Sequence, residues 1–175
     1  STLTGNTANR AGGGIEDVSG STTTTVLTNI NITANTTGSA PGNGGGIHIT
    51  GAGNMFVNGG MINGNVAAAE GGGLWNGAGI MIVDGATIDN NSAAGNDADQ
   101  GGGGIYNLSG ALTFQNGTIS NNVASGTSGS GGGILNDVGA TLNVIAGIIS
   151  GNSSSRAGGG IEDNSGAGLN VTLIN

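Results

Sequence analysis

The string Gly-Gly-Gly followed by Ile or Leu occurs six times in this chain, beginning at Gly12, Gly44, Gly71, Gly102, Gly131 and Gly158. The intervals between successive copies are nearly even along the whole sequence. The first and last copies sit in one longer string, RAGGGIED, at Arg10–Asp17 and Arg156–Asp163. A unit of this size cannot bury its own apolar face and must stack on a neighbour, so recurrence along a whole chain signals a solenoid. The segments Gly158–Asn175 and Ser1–Ala11, joined end to end, would make one more interval of the same size, and the six together account for all 175 residues. The chain reads as a repeat whose end runs into its own beginning.

A second motif, aliphatic-x-x-Asn, ends at Asn6, Asn35, Asn65, Asn91, Asn122 and Asn152. Each copy starts at a near-constant distance after the aliphatic residue of a triplet, counting across the junction for the first. Between the two motifs lies a short apolar run, near Val26, Met55, Ile80, Leu112, Leu142 and Leu169. These runs are β-branched or aliphatic and bounded by Gly, Ser, Asn and Asp, which marks strands. No segment sustains a 3.6-residue apolar period, and 41 glycines would penalise helices heavily. Each repeat therefore reads as strand, turn, strand, turn, strand, with a loop of variable length after the Asn.

Three short strands per repeat describe one rung of a right-handed parallel β-helix, an all-β solenoid. The rungs are 12–43, 44–70, 71–101, 102–130, 131–157, and 158–175 completed by 1–11 of a following copy. Rungs stack about 4.8 Å apart, so six rise about 29 Å. Two inward columns follow: Ile15, Ile47, Leu74, Ile105, Ile134 and Ile161, and Leu3, Ile32, Ile62, Ile88, Ile119 and Ile149. The six motif asparagines would form a ladder, each amide bonding its copy above and below. A less complete polar column follows the triplets: Asp17, Ile49, Asn76, Asn107, Asn136 and Asp163.

The alternation of GGG[I/L] and IxxN resembles the GGA[I/L/V] and FxxN repeats of chlamydial polymorphic outer-membrane proteins, and is similar to other bacterial surface proteins with right-handed β-helix repeats. The resemblance spans all six repeats. It implies a surface-exposed, extracellular β-helix used as an adhesin or structural stalk. A third Gly in place of Ala, and Ile or Leu in place of Phe, depart from that pattern.

Composition narrows the function. Ten acids against two arginines and no lysine argue against nucleic acid, since phosphate binding needs clustered cations. No run approaches the length of a membrane-spanning helix. The acids Glu70, Asp84, Asp89 and Asp137 fall in different repeats and read as solvated turn residues, so no catalytic constellation emerges and a polysaccharide-active enzyme is the third reading. His48 shares its repeat position with Glu16, Trp75, Tyr106, Leu135 and Glu162, a column read as outward-facing, with Trp75 and Tyr106 as an exposed aromatic patch that could contact glycans.

Stacking of copies would set Glu162 and Asp163 one rung from Glu16 and Asp17 of the next copy, with Arg156 and Arg10 stacked likewise. Three outcomes are open: arginines bridge these acids, calcium neutralises them, or all four point to solvent. The expected joint comprises Ser1, Leu3, Asn6, Arg10, Arg156, Leu169, Val171, Leu173 and Asn175. The expected function is an extracellular or cell-surface fibre, a head-to-tail homopolymer or a tandem array of copies of this sequence with uncapped ends. A surface adhesin or carbohydrate-binding passenger segment is the alternative.

Overall fold

The computed structural model describes residues 1–167 and 170–175. β1 (Thr2–Thr4) and β2 (Thr7–Ala8) precede the first glycine triplet, which leads into β3 (Ile15–Asp17), β4 (Thr24–Thr33) and β5 (Thr36–Thr37). The second triplet leads into β6 (Ile47–Ile49), β7 (Asn54–Asn63) and β8 (Val66–Ala67). The third leads into β9 (Leu74–Asn76), β10 (Ile80–Asp84), β11 (Thr87–Asp89) and β12 (Ser92–Ala93). The fourth repeats this with β13 (Ile105–Asn107), β14 (Ala111–Gln115), β15 (Thr118–Ser120) and β16 (Val123–Ala124). The fifth gives β17 (Ile134–Asn136), β18 (Thr141–Ile145), β19 (Ile148–Ser150) and β20 (Ser153–Ser154), and the sixth β21 (Ile161–Asp163) and β22 (Val171–Ile174).

The strands stack turn upon turn into three parallel sheets, a β-solenoid of about six turns. One sheet holds the strands that follow the triplets, in the order β3-β6-β9-β13-β17-β21. A second, bent sheet holds both the apolar runs and the strands before each Asn: β4 and β7 run through the bend, and later turns break there into two segments. Positive φ marks that bend, at Asn29 (49°), Gly59 (65°), Gly85 (68°), Asn116 (54°) and Ala146 (49°). The third sheet, β2-β5-β8-β12-β16-β20, lies just after the Asn. The expected variable loop thus opens with a short strand. Pairs such as Ser92–Ala93 or Ser153–Ser154 carry no apolar run to announce it.

Each position of the triplet has its own reason to be glycine. In the fourth turn, Gly102 has φ +63°, a left-handed conformation that side chains disfavour. A Cβ on Gly103 would sit 2.5 Å from Gly132 O on the next turn, and one on Gly104 would sit 2.6 Å from Gly133 O and 3.1 Å from Asn122 Nδ2. The triplet therefore turns the chain, lets adjacent turns touch through backbone, and leaves room for the asparagine amide.

Both aliphatic columns point inward as expected. Ile32, Ile62, Ile88 and Ile119, with Ile47, Leu74, Ile105 and Ile134, are fully buried, while the end members Leu3, Ile149, Ile15 and Ile161 are partly covered. The bent sheet adds Met55, Met81, Leu112 and Leu142, and Val57, Val83, Phe114 and Val144. Each such side chain contributes roughly 1.5–3 kcal/mol of burial, recurring at every turn.

Candidate assembly face

The asparagine ladder has a direction. The backbone N–H and Nδ2 of Asn91 both donate to Asn122 Oδ1 at 2.9 Å, and Nδ2 also donates to Ile62 O of the preceding turn at 2.9 Å. Its own Oδ1 accepts the same pair of bonds from Asn65 at 2.9 Å. The pattern repeats from Asn6 through Asn35, Asn65 and Asn122 to Asn152. Between ladder side chains, N–H and Nδ2 donate toward the C-terminal turn and Oδ1 accepts from the N-terminal one, while Nδ2 also reaches back to a carbonyl of the preceding turn. The residue before each ladder asparagine takes positive φ (Gly5, Ala34, Gly64, Asn90, Asn121 and Gly151), which aims the amide into the wall.

Among the described residues, Asn6 starts the ladder as a donor that accepts nothing from a preceding turn. Asn152 closes it: it accepts twice from Asn122 and donates through Nδ2 to Ile119 O at 2.9 Å, while its N–H meets no further turn. One end of the ladder thus presents an acceptor and the other presents donors.

Apolar groups stand at both ends of the solenoid. At the C-terminal end an apolar hollow of about 420 Å³ opens among Val144, Gly147, Ile149, Ile161, Leu173 and Ile174. At the N-terminal end Leu3 is half-buried against Ile32, its register partner. Leu3 and Ile149 belong to one column. Of the other expected joint residues, Ser1 and Asn175 are exposed and Val171 is partly covered. Leu173 is 65% exposed and continues the column of Val144. Leu169 lies outside the described residues.

The first and last turns carry equivalent ion pairs. Arg10 pairs with Glu16 and Arg156 with Glu162, each within its own turn. Arg156 also donates to Ser130 Oγ and Ala98 O, both at 2.9 Å. Asp17 and Asp163 occupy the same register position on β3 and β21, the two edges of their sheet, so the two acid pairs do not meet within one chain. Hydrogen bonds from Ser19 and Thr25 hold the Asp17 carboxyl below its usual pKa. Burial pushes Asp163 up, but bonds from Ser165 and Asn136 outweigh it and leave the group below its usual value. Among the described residues no three His, Asp or Glu side chains converge as metal ligands.

The interior members of the column expected to face solvent, His48, Trp75, Tyr106 and Leu135, are covered instead, while Glu16 at its end is exposed. Trp75 and Tyr106 are 7% and 2% exposed, and with Leu135 they form a second small core on the outer face of the triplet sheet. His48 stacks on Trp75 with ring centroids 4.2 Å apart, and Trp75 on Tyr106 at 6.0 Å. The reason is local. Glu70, ahead of its triplet, accepts from Trp75 Nε1 at 2.9 Å, and Asp137, just after β17, accepts from Tyr106 Oη at 2.6 Å. Side chains from the segments flanking the triplet strands close over the rings, and the expected exposed aromatic patch is absent.

Two acids read as solvated turn residues are therefore structural. Burial raises the Glu70 pKa, partly opposed by the Trp75 bond. Desolvation, with help from Arg10, lowers His48 to about 4, and burial beside these acids raises Tyr106 above its usual range. Asp89, by contrast, lies on the outer face and accepts from Asn63, Ser120 and Asn121 side chains. Comparison with protein-family models, curated proteins and solved structures yields no match to this chain.

Proposed function

We propose that the chain is a structural unit of an extracellular fibre, its solenoid continued end to end by a further copy or a further tandem repeat. The observation that carries this reading is the polarity of the asparagine ladder. The donors of Asn152 and the acceptor of Asn6 are complementary, and joining them continues the bond pattern of every internal step. Registers agree around the whole turn. Leu3 to Ile15 spans the same length of chain as Ile149 to Ile161, and Ile15 to Leu27 the same as Ile161 to Leu173. A following copy would therefore set Leu3 on Ile149 over the apolar hollow, Ile15 on Ile161 and Leu27 on Leu173. Heterologous contacts of this kind do not close, and they build filaments.

Further support comes from the open strand edges. β19, β20 and β21 each end a sheet or a branch of one, and such edges pair readily with another chain. The resemblance of the two motifs to repeats of bacterial surface proteins supports a location outside the cell. A glycan-binding role for Trp75 and Tyr106 loses its main observation, because both rings are covered.

The test is the denatured mass of native material alongside electron microscopy of the same sample. Filaments that dissolve into a species near 16.4 kDa indicate separate subunits, and a far larger species indicates covalent tandem repeats. Monomers that form no filament at any concentration would sink the fibre reading.

A further inference from the structure

The second polar column runs parallel to the ladder and shares its direction. Asn76 Nδ2 donates to Asn107 Oδ1 at 2.8 Å, Asn107 to Asn136 at 2.8 Å, and Asn136 to Asp163 Oδ1 at 2.9 Å. The second hydrogen of each amide goes to a nearby backbone oxygen: Gly79 at 3.2 Å, Gly110 at 3.1 Å and Ala140 at 3.4 Å. Asp163 thus stands where the pattern calls for a group that accepts from one turn and donates to the next. An ionised carboxylate accepts only.

In an end-to-end joint, which rests on the reading above, the next member of this column is Asp17 of the following copy. That carboxylate is also an acceptor, from Ser19 N–H at 2.9 Å and Thr25 Oγ1 at 2.6 Å. Two acceptors would meet one rung apart, about 4.8 Å between backbones. They meet on the inward side of the sheet, where Ile49, Asn76, Asn107 and Asn136 are fully buried in the interior turns.

No cation is on hand for them. Among the described residues, β6 brings Ile49 beside Asp17, and β4 brings Thr25. β17 brings Asn136 beside Asp163, and the turn after β21 brings Ser165. The chargeable groups nearby, namely Arg10, Glu16, His48, Asp137, Arg156 and Glu162, belong to the outer face, where each glutamate already has its arginine. Both aspartates are ionised at neutral pH in the single chain, since hydrogen bonds hold them below the usual carboxyl range.

We propose that Asp163 and Asp17 of successive copies share one proton in the joint, so that each end-to-end contact takes up a proton and forms as pH falls. The proton comes from solvent and completes an O–H···O bond where the interior turns have Nδ2–H···Oδ1. Two buried carboxylates at this spacing do not both ionise, so the pKa of the pair rises well above that of either free acid. Between those values the joint holds one more proton than the separated ends, and the association constant rises about tenfold per unit fall in pH. Above the raised value, both are ionised and the joint is weak.

The experiment measures the critical concentration for assembly of the 175-residue chain. Sedimentation of the wild type, Asp163→Asn and Asp17→Asn is followed from about pH 7.5 to about pH 4.5. Far-UV circular dichroism confirms that each variant is folded. The wild type should assemble on acidification with a slope of about one decade per pH unit. Asp163→Asn restores the missing donor, so it should assemble at neutral pH with that slope lost, and Asp17→Asn should also lose it. His48 titrates in all three chains, so the difference between them isolates the aspartates.

A wild type that assembles equally at all pH values, or a variant that keeps the slope, overturns proton sharing while leaving the fibre reading intact. Assembly of the wild type at neutral pH on adding calcium chloride alone overturns it in favour of a bridging cation. Leu3→Asp, which places a charge in the apolar seat, should block assembly at every pH. If none of the chains assembles under any condition, the end-to-end reading itself falls, and the shared proton with it.

Discussion

At the scale of single residues, two kinds of position hold the wall together: the ladder asparagine and the glycine triplet. Asn91 engages its neighbours through N–H, both Nδ2 hydrogens and Oδ1, so Asn91→Ala strands donors on Asn65 and the carbonyl of Ile62 inside the wall. Leaving buried groups unsatisfied costs about 1–3 kcal/mol each, so we expect a loss of several kcal/mol in chemical denaturation. Asn152→Ala, at the end of the ladder, should cost clearly less. A Cβ on Gly103 would press against backbone of the next turn, and Gly103→Ala should destabilise severely or prevent folding. Gly85, unlike Gly103, has positive φ, but the space around its Cβ position is open, so Gly85→Ala should cost only about 1 kcal/mol. A loss at Gly103 no larger than that at Gly85 would contradict the contact between turns.

The ladder was legible in the sequence because IxxN recurs at a near-constant distance from the triplet, and the same spacing placed both aliphatic columns. The triplet's inter-turn contacts were less legible, since only the structure shows which of three identical glycines meets which carbonyl.

At the scale of elements, the outer face of the triplet sheet departs most from the sequence reading. Alternation in Ile105-Tyr106-Asn107 correctly sends the middle residue away from the main core, but alternation is silent on whether another segment covers that side. The covering residues, Glu70 and Asp137, come from segments of irregular length with no shared motif. The third sheet was not legible either, because strands of two residues, such as Val66–Ala67 and Ser153–Ser154, are too short to show a period.

Trp75 is the only tryptophan and reports directly on this face. Its fluorescence should be blue-shifted and resistant to iodide quenching, whereas the emission of a solvated indole would contradict the covered stack. His48 offers an independent check. Its pKa is depressed to about 4, so the folded chain binds its proton later than the unfolded chain does. Its contribution to stability is complete above the unfolded value near 6.5 and is lost as pH falls toward about 4. Glu70, with its pKa raised, acts in the opposite sense, so titration of the His48 ring by NMR is the cleaner readout. A midpoint near 4 is expected; a midpoint near 6.5 would mean that the imidazole is solvated.

At the scale of the whole molecule, the solenoid is nearly one-dimensional. Backbone pairing joins each turn to its neighbours, with Arg156 reaching one turn further to Ala98 O, and stability accumulates turn by turn. Interior turns bury their columns completely, while the first and last turns leave Leu3, Ile15, Ile149 and Ile161 partly covered. A further turn at either end would extend the asparagine ladder and the aliphatic columns, whereas the stacked acids and arginines of the joint have no counterpart within the chain. The fold was legible from six evenly placed triplets and a second motif between them. The chemistry of the ends was legible only in part: the sequence pairs the acids across a junction, whereas the structure separates the glutamates, already matched to arginines, from the aspartates, which are not.

End-to-end continuation of the solenoid is tested most directly by the axial rise per copy in assembled material, measured by electron cryo-microscopy or fibre diffraction. Six turns per copy at about 4.8 Å predict a strong axial spacing near 4.8 Å and a rise of about 29 Å per 175 residues, with all copies pointing the same way. Copies related by a two-fold axis, or a rise far from six strand spacings, would contradict it.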